Sequence, residues 1–449
     1  MGTKTQKLSN VVDQIVQWQS VVVADGSTNT TAVTGRGYFI DNSSATHTIN
    51  LPSSPNLGDT VSIIALSDAG VNNITVGRNG SNIQGSASDY TINSDNQSDV
   101  FVYSNASEGW TVQSTTTEVP TYVTATGGTI TTSGDFKIHT FTGDGCFVVS
   151  NAGNTGGSNI VDYLVVAGGG SGGPGYAGGG GGAGGFRVSN GYGLPAPTTS
   201  PLATPTGIIV SATTYPVTVG AGGSGGTGGA AITGPSGSNS VFSTITSAGG
   251  GGGGTGGLGG GPNPNAPASG SAGNGGSGGG AGSKRCDSTN VPQAGTGNTP
   301  VVSPPQGNPG GSAGADGFSS FTQTAGGGGA GGAGQTSPNQ PTPASGGVGS
   351  YISPSFAVGC AGTSGPVCGV RYFAGGGGGG TDSGVPGVGG SGGGGPGSVG
   401  PTPGTGTAGT TNTGGGGGGA QCSGNPGSPY TSGAGGGSGI VIIRYKFQN

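Results

Sequence analysis

Glycine limits what this chain can fold into more than any other residue: it fills 115 of 449 positions, and unevenly. Residues 1–160 hold 18 of them, which leaves 115 − 18 = 97 among the remaining 289 residues, about one in three. Ordering a backbone residue costs about 1–2 kcal/mol, and Gly loses more freedom than any other residue, so an ordered distal region demands a large offset. Composition alone would suit a flexible linker. An ordered alternative exists in the left-handed threefold helix of the polyproline II type, which rises about 3.1 Å per residue and turns every N–H and C=O outward. Where Cβ atoms are missing, neighbouring helices can pair those groups at close range and add Cα–H to carbonyl and dispersion contacts.

Collagen does not fit, because Gly-X-Y is not kept and Pro is only 29 of 449. A bundle of short polyglycine helices fits better, on three features. Two apolar segments, Tyr163 to Ala167 and Ile440 to Tyr445, bracket the region and could pair. A unit of an aromatic, polar residues and a Gly run recurs near Phe242, Phe318 and Tyr372. Pro-rich interruptions such as 262–267 and 304–305 come where helices would reverse.

Upstream, Leu8, Val11, Ile15, Trp18 and Val22 recur at spacings of three and four, which predicts a short helix in a coiled coil. From Tyr38 to Gln113 short apolar runs alternate with turn signals such as Asn79-Gly80 and Glu108-Gly109, reading as a small all-β domain. A second β segment runs from Thr121 to Ser150. The expected organisation is therefore an N-terminal helix for attachment over 1–24, a β domain over 25–118, a β segment over 119–167, and a polyglycine II domain over 168–449 closed by paired strands. The fold class is mainly β and irregular.

The formal net charge is −5, with 11 Lys and Arg against 16 Asp and Glu, and no basic stripe. Nucleic acid is not an expected partner, since phosphate contacts need clustered cations. No stretch approaches eighteen apolar residues and no secretory leader is recognisable, so membrane insertion is not expected either. The five cysteines lack the paired short spacing of a zinc site, and neither a metal nor a cofactor is expected. Cys360 and Cys368 enclose a turn-rich loop that a disulfide could close; free buried thiols are the alternative.

Catalytic chemistry is not expected. His47 and His139 sit in strand-like segments as surface or pairing residues, and the G-x-S-x-G match at 222–226 arises by chance in a Gly-rich region. Glycan hydrolysis needs two placed carboxylates, yet no Glu follows Glu118, and the carboxylates Asp95, Asp99 and Glu108 are equally explained by loop solvation.

Three groups of residues carry a resemblance: Gly35-Arg36-Gly37-Tyr38-Phe39-Ile40-Asp41 with Leu57-Gly58-Asp59-Thr60-Val61, then Ile74-Thr75-Val76-Gly77-Arg78-Asn79-Gly80, then Asp162-Tyr163-Leu164-Val165-Val166-Ala167-Gly168 with Gly439-Ile440-Val441-Ile442-Ile443-Arg444-Tyr445. Together they resemble bacteriophage tail-fibre proteins with glycine-rich C-terminal domains, of the kind found in marine phages. The resemblance implies a homotrimeric virion fibre, joined to other tail or fibre proteins by its N-terminus. It also implies that loops of the distal domain bind a host cell-surface receptor, a glycan or an outer-membrane protein. Candidate contacts are the aromatic and Arg residues between Gly runs: Tyr176, Tyr192, Tyr351, Arg371, Tyr372 and Tyr430. Phe356 and Phe373 are expected to cap the bundle instead. A capsid-decorating fibre and an ice-binding polyglycine protein are the alternatives.

Overall fold

The computed structural model describes residues 16–448 apart from 117–119, 155, 195–198, 227–232, 257–269, 284–290, 314–323, 338–343, 357–360, 382–383, 401–403 and 422–430. The chain forms two compact units, Met1–Pro120 with Asn154–Gly156, and Thr121–Gly153 with Gly157–Asn449.

Among its described residues the first unit contains ten strands: β1 (Gln17–Trp18), β2 (Val22–Val23), β3 (Asn29–Thr31), β4 (Arg36–Asp41), β5 (His47–Asn50), β6 (Thr60–Ala65), β7 (Ile74–Gly77), β8 (Tyr90–Ile92), β9 (Gln97–Asn105) and β10 (Gly109–Thr116). The chain alternates between two sheets, so that β1, β2, β4 and β6 pair in parallel in one while β3, β5 and β7 pair in parallel in the other. Antiparallel strands β8, β9 and β10 then close the two sheets. Alternate side chains point inward, and Ile40, Val61, Ile63 and Phe101 of one sheet pack with Ile49, Ile74, Val76 and Ile92 of the other.

The expected coiled coil is corrected here. Leu8, Val11 and Ile15 lie outside the described residues, but Trp18 and Val22 are in strands β1 and β2, and no helix occurs among the described residues. Val16, Val21, Val22 and Val23 are β-branched, which disfavours helix and favours a pleated surface. Trp18 settles the choice by stacking on Phe39 at 4.5 Å. Gly37 makes the room: a Cβ there would lie 2.4 Å from the Trp18 ring.

The second unit has β11 (Val123–Thr126), β12 (Thr129–Ser133), β13 (Phe136–Phe141), β14 (Gly145–Ala152), β15 (Ile160–Val166), β16 (Phe186–Ser189), β17 (Ala203–Thr204), β18 (Ile208–Ile209), β19 (Thr214–Thr218), β20 (Ser240–Phe242), β21 (Ile245–Ser247), β22 (Ser350–Ile352), β23 (Arg371–Phe373) and β24 (Ile440–Lys446). A seven-stranded sheet runs β12-β13-β24-β15-β16-β17 with β18 on β15, and a five-stranded sheet runs β11-β14-β19-β20-β21. The closing strand β24 is central, antiparallel to β13 on one side and β15 on the other. Tyr163 faces Ile443 and Val165 faces Val441, so the two segments that bracket the glycine-rich region are bonded directly to each other. One face of β15 and β24 packs with Phe147, Val217 and Phe242 of the smaller sheet. The other packs with Ala183, Ala330, Phe356, Phe373 and Ala374 of the glycine-rich region.

Beyond the strands, glycine segments bond sideways with a period of three. In the segment 178–185 the N–H groups of Gly178, Gly181 and Gly184 reach the carbonyls of Ala420, Gly417 and Gly414, at 2.8–2.9 Å. Those of Gly179, Gly182 and Gly185 reach Gly254, Gly251 and Ala248, and those of Gly180 and Ala183 reach Ala325 and Gly328. Its carbonyls accept from Gly380 and Gly377, from Gly173 and Gly170, and from Gly280 and Ser277. One segment is thus bonded to six others, three by donating and three by accepting, as outward-pointing groups at threefold spacing require. Each amide exchanges water for a protein partner at about 1 kcal/mol net, and the closeness of backbones adds dispersion that side chains would block.

Candidate functional site

The bundle has two ends. Strand β15 delivers the chain into segment 168–174, which leaves the sheets; segment 178–185 returns antiparallel and enters β16. Tracing the later bonds shows the same alternation: Gly270 bonds to Thr255 and Gly273 to Gly252, while Ala325 bonds to Ala281 and Gly328 to Gly278. Outgoing segments therefore reach their last described residues, among them Gly226, Gly256, Ser283, Ala313, Ser337 and Gln421, at the end remote from the sheets. Bonds tie these ends together, including Gly175 to Thr431, Tyr176 to Gly256 and Ser283 to Ala177.

The six candidate contacts separate. Tyr176 is in the remote turn between the first two glycine segments, 8 % exposed. Tyr430 lies outside the described residues, one position before Thr431, which bonds to Gly175. The other four are at the sheet end, so no single site gathers the set. Tyr351 and Tyr372 face each other across β22 and β23, with ring centroids 5.3 Å apart. The Arg371 Nε donates to the carbonyl of Ala361 at 2.8 Å and its Nη2 to that of Gly362, which commits this guanidinium to a backbone loop. Phe356 and Phe373 are buried in the core between sheet and bundle.

Tyr192 belongs to a buried electrostatic centre formed by residues far apart in sequence. Asp162 of β15 receives Arg444 Nη2 of β24 at 2.9 Å, Ser189 Oγ at 2.7 Å, and the N–H groups of Gly191 at 2.6 Å and Tyr192 at 3.3 Å. The Arg444 guanidinium lies 4.5 Å from the Phe136 ring centroid, 4.7 Å from that of Phe356 and 5.7 Å from that of Tyr192. Burial pulls the Arg444 pKa below its ordinary value, and Asp162 opposes that pull. Tyr192 donates to the Ile160 carbonyl at 2.7 Å and is raised by burial. Every polar group of Asp162 is engaged within the protein, so the cluster ties β15, β16 and β24 together.

Both histidines are buried in paired strands, so of the two expectations for them, surface or pairing, the second describes them. The His139 ring nitrogens face the Gly127 carbonyl at 2.7 Å and the Tyr445 hydroxyl at 3.1 Å, and the Ala125 N–H donates to that hydroxyl at 3.2 Å. Burial lowers the His139 pKa and pushes Tyr445 up to about 12, so this is a neutral His that donates to a carbonyl and accepts from a phenol. His47 approaches Thr30 Oγ1 at 2.9 Å and is likewise lowered by burial. The three acids weighed as a pair have separate environments. Asp99 is buried, with Gln97 Nε2 donating to it at 2.8 Å, while Asp95 and Glu108 are exposed. Cys146 and Cys368 are exposed, and Cys360 lies outside the described residues. Neither the Asp162–Arg444 centre nor the His139–Tyr445 contact was picked out from sequence, because partners about 300 positions apart leave no local pattern.

The sequence model of the family described as a glycine-rich domain matches residues 149–446, from within β14 to the last residue of β24. No curated protein matches the chain.

Proposed function

We propose that this chain, which belongs to the glycine-rich domain family, is a bacteriophage tail-fibre adhesin that binds the host cell surface through the remote end of its glycine bundle. The supporting observation is the common polarity of the segments: each pair opens at the end away from the sheets, and bonds between neighbouring backbones hold that end together. A scaffold made of backbone contacts leaves its connections free to vary in sequence, which is where binding residues concentrate. The connecting sequences differ accordingly, from Lys284-Arg285-Cys286-Asp287 to the Pro- and Asn-rich stretch 262–267. Of the candidate contacts, Tyr430, next in sequence to Thr431, is kept in this reading; Tyr176 is at the remote end but buried and supports the turn rather than a contact, and Tyr192, Tyr351, Arg371 and Tyr372 are withdrawn. Virion attachment by the N-terminal residues and assembly as a homotrimer complete the proposal; both rest on the resemblance of the sequence to tail fibres.

Adsorption of the purified full chain to bacterial cells tests the reading. Replacing 257–269 and 422–430 by short Gly-Ser connections should reduce adsorption to background while amide exchange in the bundle stays slow. Undiminished adsorption with an intact bundle would rule out the remote end.

A further inference from the structure

The strand that follows the glycine region in sequence sits in the middle of the sheet that precedes it. β24 pairs with β13 from Val441 to Lys446 and with β15 from Ile440 to Arg444. Its residues from Ile440 to Tyr445 are at most 1 % exposed, because both faces are covered. Val441, Ile443 and Tyr445 belong to the core shared with the five-stranded sheet, and Ile440 and Ile442 to the core shared with the glycine region. Without β24 the seven-stranded sheet would divide into β12–β13 and β15–β16–β17, with β18 on β15. Two facing rows of N–H and C=O groups would be left unpaired, a template for any extended chain. Asp162 would keep Ser189 and two backbone N–H donors but lose the Arg444 cation. The Tyr445 hydroxyl that receives the Ala125 N–H and contacts His139 would go as well.

The glycine bundle has little margin with which to do without this strand. The net gain from a backbone bond about matches the entropy lost by the glycine that makes it, and closing a segment as long as 167–439 adds a further cost. Side chains contribute where bundle meets sheet: Ala183, Ala330 and Phe373 of the glycine region pack with Ile138 of β13, Leu164 of β15 and Ile442 of β24. β24 is the strand that joins β13 to β15, so this apolar floor exists only while β24 is in place. Order in the bundle is therefore coupled to occupancy of the gap between those two strands.

We propose that the gap between β13 and β15 is a binding site for one extended segment, that β24 is the segment that fills it, and that the bundle is ordered only while it is filled. Because β24 follows the whole glycine region, a growing chain keeps that region unordered until 440–446 arrive. The site stands apart from the remote-end reading and can be measured without cells. A protease site placed in 422–430 of the full chain and cut after folding leaves 431–449 held without a covalent link. Labelled peptide 431–449 in excess should then replace it, and the N–H groups of 178–185 should exchange with solvent in step with the replacement. The peptide with Arg444→Met should compete on the order of 100-fold less well, since it leaves Asp162 buried and unpaired. The peptide with Gln448→Ala, changed at an exposed position, should compete as the parent does. A chain ended after Gly439 should exchange its 178–185 amides on the order of 1,000-fold faster than the full chain and regain slow exchange with added peptide; if it aggregates, the cut chain decides. Slow exchange of 178–185 in the chain ended after Gly439 would overturn the proposal. So would a peptide that never enters, replacement of the strand without exchange in the bundle, or equal competition by the Arg444→Met peptide.

Discussion

The sheets and the glycine bundle of the second unit are held by opposite means. In the sheets the backbone ladder is shared by all sequences and the side chains decide: Phe147, Phe242, Val165 and Ile443 fill the space between the two layers. In the bundle the backbone decides, and space between segments is taken up by carbonyls and amides. The usual direction of damage is thereby reversed. Truncating a side chain harms a sheet core by leaving a cavity, whereas adding one carbon harms the bundle by separating atoms that must touch.

Gly180 gives the largest expected effect. A Cβ there would lie 2.0 Å from the Gly377 carbonyl oxygen and 2.9 Å from the Gly327 nitrogen, and both are backbone atoms that cannot swing aside. Gly180→Ala should cost about 3 kcal/mol or more, at the upper end for overpacking. Gly143→Ala, whose Cβ would meet nothing within 4 Å, should stay within about 0.5 kcal/mol. Denaturant melts followed by amide exchange in the bundle would show the difference. Equal, small losses from both variants would end the claim that backbone contact holds the bundle together.

The Asp162–Arg444 pair sharpens the comparison from the sheet side. Here one pair of side chains, fully buried at 0 % and 1 % exposure, ties the entry strand of the glycine region to its exit strand. Removing one partner leaves a buried charge alone, at about 3–5 kcal/mol. Asp162→Asn should therefore destabilise the second unit strongly, while Asp162→Asn with Arg444→Met should recover part of the loss. Both tryptophans, Trp18 and Trp110, belong to the first unit. Their fluorescence therefore reads the first unit, and amide exchange in the second unit is the measurement that follows both variants; a loss in the double variant as large as in Asp162→Asn alone would count against the buried pair.

What could be read in advance follows the range of the interactions. The glycine content announced lateral backbone pairing, and the apolar runs at 163–167 and 440–445 announced strands that could close on each other. The first unit was legible as β but not as parallel, because short runs separated by turns look the same in a meander as in two sheets visited alternately. Trp18 and Val22 misled by their spacing, since the stack on Phe39 that decides for a strand is not local. Position along the bundle was the other blind spot. Tyr192, Tyr351 and Tyr372 lie near Gly-rich stretches as Tyr176 does, but the direction of each segment puts them at the opposite end.

The smallest expected effect concerns pH, and it belongs to the sheets, where His139 of β13 lies against Tyr445 of β24. His139 has a folded-state pKa below its ordinary 6.5, chiefly through burial. Between the lowered value and 6.5 the folded chain binds fewer protons than the unfolded chain, so stability is full above pH 6.5 and falls as pH drops through that window. The slope from one such group is at most about 1.4 kcal/mol per pH unit. Denaturant melts at pH 7.5 and 5.5, followed by amide exchange in the second unit, should show the loss in the parent chain and a smaller one in His139→Gln. His47 shifts in the same direction but lies in the first unit, so tryptophan fluorescence reports it separately. An identical pH dependence in His139→Gln would mean that the contact with Tyr445 does not hold the histidine neutral, and that this ring tolerates a proton within the fold.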